Sequence, residues 1–175
     1  MKLFVTGLPG VGKTHFGKAY AASAGITFAD LDVFITEKHG KSIAELMDDM
    51  GNREFRNLEK TALRELINQL AGQNSYVIAT GGGTICYHDN LAVIKQAGLL
   101  VYLKDDLLAI EKRIKMDSKG IRPLLKENKT VSLAQKLEKM LRERRSFYEQ
   151  SHIIVGVSGA LNLHLFTKRL ELFTG

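Results

Sequence analysis

A glycine-rich stretch near the start of the chain has the residue types and spacing that bind phosphate. It reads Gly7-Leu8-Pro9-Gly10-Val11-Gly12-Lys13-Thr14, which matches the pattern of Gly, four free positions, Gly-Lys and then Ser or Thr. The glycines let the backbone curl, so that successive N–H groups point at phosphate oxygens. We expect Lys13 to reach the β- and γ-phosphates of a nucleotide and Thr14 to hold Mg²⁺ through its hydroxyl. The alternative is a plain glycine turn with a solvated lysine.

The flanking sequence favours the phosphate-binding interpretation. Residues 2–6 form a mainly apolar run with aromatic and β-branched side chains, which is typical of a buried strand, and a helical pattern begins near Gly12. The positive end of that helix would add to the attraction for anions. The residues predicted to contact the nucleotide phosphates are Gly10, Val11, Gly12, Lys13, Thr14 and His15.

Two acidic residues and three glycines follow the next two predicted strands. Asp30 and Asp32 come at the end of a strand at residues 26–30, where alternation places both carboxylates on one side. Asp32 is positioned to cap the next helix, and Asp30 and Asp32 could replace the metal-binding aspartate that many nucleotide-binding enzymes carry after the third strand. Gly81-Gly82-Gly83 follows the third strand. It forms either a turn or a place where a ligand touches backbone.

Two arginines occupy positions that an amphipathic helix would give to apolar residues. On the helix predicted at residues 53–70, Glu59 falls within the apolar stripe and Arg56 lies at its edge. A buried carboxylate needs a cationic partner, and Arg56 is three residues away on the same face. Arg144 stands where an apolar residue is expected on the helix predicted at residues 133–148. An arginine that points inward must meet an anion, which is either a structural carboxylate or a ligand.

Strands alternate with helices along the chain, which predicts an α/β fold with a five-stranded parallel sheet and helices on both faces. Ligands of such sheets gather at the carboxyl ends of the strands, where the phosphate loop, the aspartates and the glycine triplet fall. We expect a single domain over residues 1–175, with a mobile lid at about 116–130, where the polar sequence contains Gly120 and Pro123. The predicted strands cover 2–6, 26–30, 76–79, 99–103 and 153–155, and a closing helix is predicted at 161–173.

Composition narrows the class of partner. The chain has 175 residues, 45% of them hydrophobic, and a net charge of +6. Its basic residues are mixed with acids rather than gathered in a tract, so we expect small anionic substrates and neither nucleic acid nor a membrane. The absence of a signal peptide, together with one cysteine, Cys86, predicts a cytoplasmic protein. We expect Cys86 to be a packed or half-exposed thiol rather than a nucleophile, and the protein to be a monomer.

Six motifs in order make the chain resemble the shikimate kinase family over nearly its whole length. They are Gly7 to Thr14, Asp30-Leu31-Asp32, Phe55-Arg56-Asn57-Leu58-Glu59, Gly81-Gly82-Gly83, Arg122-Pro123-Leu124 and Arg144. The resemblance implies a P-loop fold like that of nucleoside monophosphate kinases. It also implies ATP-dependent, Mg²⁺-assisted phosphorylation of the 3-hydroxyl of shikimate, a step of aromatic amino acid biosynthesis.

The same resemblance assigns a role to each motif. Catalysis would use Asp32, Lys13 and Arg122, with Arg122 reaching the transferring phosphate from the lid. Thr14 and Asp30 would serve the metal, and Arg113 would lie against adenine. The shikimate-binding residues, largely on an acid-binding segment at about 32–60, would be Asp32, Arg56, Gly81, Gly82, Gly83 and Arg144.

Two departures and two alternatives stay open. His15 replaces a small hydroxyl residue common in the family, and residues 157–162 lack the arginine and proline usual in the last adenine-contacting loop. A gluconate kinase of the same fold would also phosphorylate a hydroxyl on a carboxylate-bearing substrate. A nucleotide-binding module without an acceptor is the alternative from another class, but it has no use for two arginines that point inward.

Overall fold

The computed structural model describes residues 1–116, 131–157, 166–168 and 170. Strands and helices alternate through this part of the chain as the sequence predicts. The strands are β1 (Lys2–Thr6), β2 (Thr27–Asp30), β3 (Tyr76–Ala79), β4 (Leu99–Lys104) and β5 (Ile153–Gly156). The helices are α1 (Lys13–Ala24), α2 (Leu31–His39), α3 (Ile43–Gln69), α4 (Asn90–Ala97), α5 (Leu107–Met116) and α6 (Leu133–Tyr148).

The strands form one parallel sheet in the order β2-β3-β1-β4-β5. Every residue of β3 is buried. Because successive side chains of a strand point to opposite faces, helices must cover both faces of the sheet there. The predicted five-stranded parallel α/β fold is confirmed.

The strand order brings the chemically suggestive segments together. The strands β2, β3 and β1 are parallel neighbours, so the residues that follow them lie together at the carboxyl ends of the strands. Asp30, the glycine triplet and the phosphate loop all lie at this end of the sheet. Gly12 then caps α1 with a left-handed backbone, φ 103°, which glycine adopts without strain.

The structure corrects the predicted start of α2 and refines other local features. Asp30, not Asp32, is the N-cap of α2, because β2 ends at Asp30 and leaves its side chain level with the first free amides of the helix. The helix predicted at residues 53–70 is the second part of α3, which has a kink at Gly51, where the backbone is not helical at φ 78°. Ser42 begins α3 and forms a capping box with Glu45. A short 3₁₀ turn, Thr84–Cys86, was not predicted.

Some predicted segments lie outside the described residues. These include the predicted lid beyond Met116 and most of the closing helix, of which residues 166–168 and 170 are helical. Within the described part of the chain, no helix combines the length and apolar character needed to cross a membrane.

Candidate active site

The phosphate loop forms a concave backbone surface at the end of β1. Gly7, Gly10 and Gly12 all have positive φ angles, which accounts for the glycines of the motif. The ammonium of Lys13 lies inside the loop and donates to the carbonyl oxygens of Gly7 at 3.0 Å and Leu8 at 3.1 Å. These weak neutral acceptors hold the lysine where phosphate oxygens would compete for it.

A cavity of about 230 Å³ opens in front of this loop. It contains most of the residues predicted to bind the nucleotide phosphates and metal. Its lining is Gly10, Gly12, Lys13, Thr14, His15, Asp30, Asp32, Thr80, Arg113 and Ile114. The side chain of Val11 is instead buried in the core, so this predicted contact can come only from its backbone.

Arg113 lies across the phosphate loop. Its guanidinium donates to the carbonyls of Gly10 and Val11, each at 3.2 Å, and forms an ion pair with Asp105. These contacts place Arg113 at the rim of the cavity. Its predicted contact with adenine stays a prediction.

Thr14 and Asp30 lie side by side in the lining of the same cavity. The hydroxyl of Thr14 donates to Asp30 Oδ2 at 2.7 Å, while Asp30 Oδ1 accepts from the backbone amides of Asp32 at 3.0 Å and Val33 at 3.4 Å. Capping therefore uses one carboxylate oxygen and leaves the other beside the threonine. Among the described residues there is no group of three or more Asp, Glu, His or Cys side chains arranged so that they could hold a metal ion. Two hard oxygen ligands suit Mg²⁺, which usually keeps several waters and shares phosphate oxygens.

A second cavity of about 290 Å³ lies next to the first. Asp32 lines both cavities and so marks their junction. The predicted acid-binding residues Arg56, Gly81, Gly82, Gly83 and Arg144 all line the second cavity. Its remaining lining residues are Pro9, Ser42, Ile43, Ala44, Met47, Phe55, Glu59 and Met140.

The glycine triplet lies close to the phosphate loop on one side and to Arg56 on the other. A Cβ on Gly82 would lie 2.9 Å from Pro9 of the phosphate loop, and a Cβ on Gly83 would lie 3.2 Å from the Arg56 guanidinium. Any larger residue would push the phosphate loop or Arg56 out of place. The triplet is therefore more than a turn.

Arg56 is both a structural partner and a wall of the cavity. Its guanidinium donates to Glu59 at 2.7 Å, and the other Glu59 oxygen accepts from the Thr84 hydroxyl at 2.6 Å. Arg56 and Glu59 are 7% and 1% exposed. The Arg56 Nε is buried without a hydrogen-bond partner. The predicted ion pair with Glu59 is confirmed, and the unsatisfied Nε shows that this pair does not use all the donors of the arginine.

Arg144 projects from α6 into the second cavity, as its position in the apolar stripe predicts. Burial raises the pKa of the Tyr148 phenol one turn later, and the positive charge of Arg144 opposes this rise. The ion pairs found among the described residues do not include Arg144. A half-buried guanidinium without a carboxylate partner favours an anionic ligand.

Cys86 lies close to this cavity but is not set up as a nucleophile. Burial raises the pKa of its thiol to about 11, although Arg144 and Arg56 act in the opposite direction. A thiol with this pKa is uncharged at neutral pH. Cys86 is partly buried and packs against the core, in agreement with the prediction of a packed or half-exposed thiol.

The sequence model of the shikimate kinase family matches residues 9–173. The chain belongs to this family. A shikimate kinase from Bacteroides fragilis is 36% identical over 155 residues, covering 88% of this chain and 83% of its own. The shikimate kinase from Geobacter sulfurreducens is also 36% identical, covering 89% of this chain and 81% of its own.

Solved structures agree with this family assignment. The crystal structure of shikimate kinase from Bacteroides thetaiotaomicron has a TM-score of 0.86 at 30% identity and covers 99% of this chain and 98% of its own. Shikimate kinase from Acinetobacter baumannii, solved in complex with shikimate, has a TM-score of 0.81 at 30% identity, covering 99% and 92%. A gluconokinase from Sinorhizobium meliloti shares the fold, with a TM-score of 0.63, at 16% identity.

Sequence reasoning did not identify several residues that line or support the second cavity. Arg122, the predicted lid residue, lies outside the described residues. Thr84 donates a hydrogen bond to Glu59, and Tyr148 donates one to Gly82. These bonds join residues far apart in the chain, so no pattern of residue spacing predicts them. Apolar residues of the wall could have been found only as members of amphipathic stripes; they are Ile43, Met47, Phe55 and Met140.

Proposed function

We propose that this protein transfers the γ-phosphoryl group of ATP to the 3-hydroxyl of shikimate, giving shikimate 3-phosphate and ADP. One observation carries the proposal: a cavity at the phosphate loop and a cavity lined by two arginines meet at the carboxylate of Asp32. A phosphoryl donor and an organic acid could therefore lie side by side, as direct transfer requires.

Arg56 and Arg144 are the proposed carboxylate-binding groups. Guanidinium groups bind a carboxylate through paired N–H donors, a geometry that lysine cannot offer. The backbone amides of the glycine triplet and the apolar wall on α3 and α6 would hold the carbocyclic ring. The family relative from Acinetobacter baumannii was solved with shikimate, which supports this class of ligand.

Asp32 is the proposed hydroxyl-binding group. From the junction of the cavities it would accept a hydrogen bond from the substrate hydroxyl and take its proton during transfer. Phosphoryl transfer has a loose transition state, so aiming the hydroxyl in line with phosphorus contributes more than early proton removal.

Lys13 and Arg122 are proposed to stabilise the charge on the transferring phosphoryl group. Lys13 would exchange its two carbonyl acceptors for phosphate oxygens, which are stronger acceptors. Arg122 would approach from the predicted lid and, by closing over the site, exclude water as a competing acceptor. Gly10, Gly12 and His15 would contribute backbone amides at the loop and the start of α1.

Thr14 and Asp30 are proposed to hold Mg²⁺ together with phosphate oxygens. The ion would supply neutralisation of the charge on the β- and γ-phosphates. For this purpose Asp30 keeps its Oδ2 on the Thr14 side while Oδ1 caps α2. We also infer a cytoplasmic location, because the free Cys86 suits a reducing compartment.

A coupled assay for ADP release tests the proposal. The purified chain is given ATP and Mg²⁺ with shikimate, with gluconate or with no acceptor, and Lys13→Ala serves as the inactive control. ADP release that depends on shikimate supports the proposal. Faster release with gluconate would make the protein a gluconate kinase, and ATP binding without release on either acid would make it a nucleotide-binding module.

A further inference from the structure

The ring of Tyr87 covers the guanidinium of Arg56. Tyr87 follows the 3₁₀ turn after the glycine triplet, and Arg56 Cζ lies 4.4 Å from the centre of its ring. This distance is well within the range of a cation–π contact. The attraction is stronger where water is excluded, and Arg56 is 7% exposed.

The other contacts of Arg56 are of different kinds. Glu59 accepts from one terminal nitrogen, the ring of Phe55 lies 5.2 Å from Cζ, and a Cβ on Gly83 would meet both terminal nitrogens. The Nε keeps an unsatisfied hydrogen. An aromatic ring placed over Cζ restricts the guanidinium without using a hydrogen-bond acceptor of the site, so the donors that Glu59 leaves unused remain available.

We propose that Tyr87 is a positioning residue for substrate binding, which holds the plane of Arg56 so that its remaining donors face the carboxylate of the acid. This inference rests on the proposed role of Arg56 in binding that carboxylate. An arginine held only by Glu59 could swing about that single hydrogen bond. The ring removes this freedom before the substrate arrives, so less rotamer entropy is lost on binding.

Two variants distinguish the role of the Tyr87 ring from that of its hydroxyl. Tyr87→Phe keeps an aromatic face over Arg56, whereas Tyr87→Leu fills similar space without a quadrupole. We expect Tyr87→Leu to raise the KM for shikimate roughly three- to thirtyfold, the range that runs from an exposed to a desolvated cation–π contact. The KM for ATP and kcat should be unchanged. Tyr87→Phe should behave as the unmodified protein.

A double-mutant cycle tests whether Tyr87 acts through Arg56. Steady-state kinetics and calorimetric shikimate binding without ATP are measured for Tyr87→Leu, for Arg56→Lys and for the pair, and thermal melting checks that each variant folds. The proposal expects that adding Tyr87→Leu to Arg56→Lys weakens shikimate binding less than twofold.

The outcomes distinguish failure of the role of Tyr87 from failure of the role of Arg56 in binding the carboxylate. A shikimate KM within twofold of the unmodified protein in Tyr87→Leu overturns the role of Tyr87. So do equal losses for shikimate and ATP, or full additivity with Arg56→Lys, and in each of these cases the proposed function can still hold. An Arg56→Lys variant that folds and keeps its shikimate affinity would instead remove the carboxylate-binding role on which the inference rests.

Discussion

The hydroxyl of Tyr148 donates a hydrogen bond to the backbone carbonyl of Gly82. This bond joins the last turn of α6 to the middle of the glycine triplet. Tyr148 is fully buried and stacks on Tyr102, with ring centres 4.9 Å apart. Burial raises the pKa of its phenol well above the ordinary value, so the hydroxyl remains a donor at every working pH. Because Arg144 lies one turn earlier on α6, the bond also sets the distance between this arginine and the triplet.

We therefore expect Tyr148→Phe to weaken shikimate binding. The change leaves the Gly82 carbonyl without its partner, which costs about 1 kcal/mol of stability and loosens the triplet against α6. The KM for shikimate should rise several-fold, while that for ATP should change little. Tyr102→Phe is the matched control, because it removes a hydroxyl from the stacked partner without touching Gly82. Equal effects of the two changes on the shikimate KM would contradict the positioning role of Tyr148.

Local signals predicted much of this site, while contacts between distant residues could not be predicted. The pairing of Arg56 with Glu59 follows from helical spacing, and the inward direction of Arg144 follows from the apolar stripe of its helix. The bonds from Tyr148 to Gly82 and from Thr84 to Glu59 join residues 66 and 25 positions apart, and no sequence pattern records them.

The error at the start of α2 has a simple cause. Asp30 and Asp32 are both good capping residues, and the choice depends on the residue at which β2 ends. The strand ends at Asp30, which therefore caps the helix and also reaches Thr14. A boundary uncertain by one or two residues is enough to exchange the two roles.

Gly83 supports a prediction about steric access to Arg56. A Cβ there would lie 3.2 Å from one guanidinium nitrogen and 3.3 Å from the other, so Gly83→Ala should displace Arg56. We expect the shikimate KM to rise about tenfold, since forced shifts in a packed site cost on the order of 1–3 kcal/mol. Gly72→Ala is the control, because a Cβ at Gly72 meets nothing within 4 Å. An unchanged shikimate KM in Gly83→Ala would show that Arg56 is free to move or does not bind the acid.

Arg144 and Arg142 offer a matched pair on one helix. Arg144 lines the second cavity, while Arg142 is exposed. We expect Arg144→Ala to raise the KM for shikimate by at least tenfold, because an arginine–carboxylate contact is lost. The KM for ATP should hardly change, and Arg142→Ala should leave both constants unaltered. Equal losses of shikimate and ATP affinity in Arg144→Ala would mark Arg144 as a structural residue.

Asp30→Asn separates capping from metal binding. Asparagine caps helices as well as aspartate does, so the stability of α2 should change by less than about 0.5 kcal/mol. The negative charge beside Thr14 is lost, however, and we expect the Mg²⁺ concentration for half-maximal activity to rise several-fold. The measurement is a magnesium titration of ADP release at saturating ATP and shikimate, accompanied by chemical denaturation. An unaltered magnesium requirement would remove Asp30 from the proposed metal site.

His152 predicts a pH dependence of stability away from the site. Its Nδ1 accepts a hydrogen bond from the backbone amide of Leu100 at 2.9 Å, which only the neutral ring can do. Burial and then the positive charge of Lys95 lower the pKa of His152 below its ordinary value of 6.5. The unfolded chain therefore binds more protons between the two pKa values. The contribution of His152 is complete above pH 6.5 and is lost as the pH falls through the pKa of the folded state.

The variant His152→Asn isolates this contribution, because asparagine can accept the same hydrogen bond but does not titrate. We expect the unmodified protein to lose more stability than His152→Asn between about pH 7.5 and pH 5, as measured by urea denaturation at each pH. All other titrating groups are shared, so they cancel in the difference between the two proteins. A difference in unfolding free energy that is the same at both pH values would show that the protonation of His152 is not linked to folding.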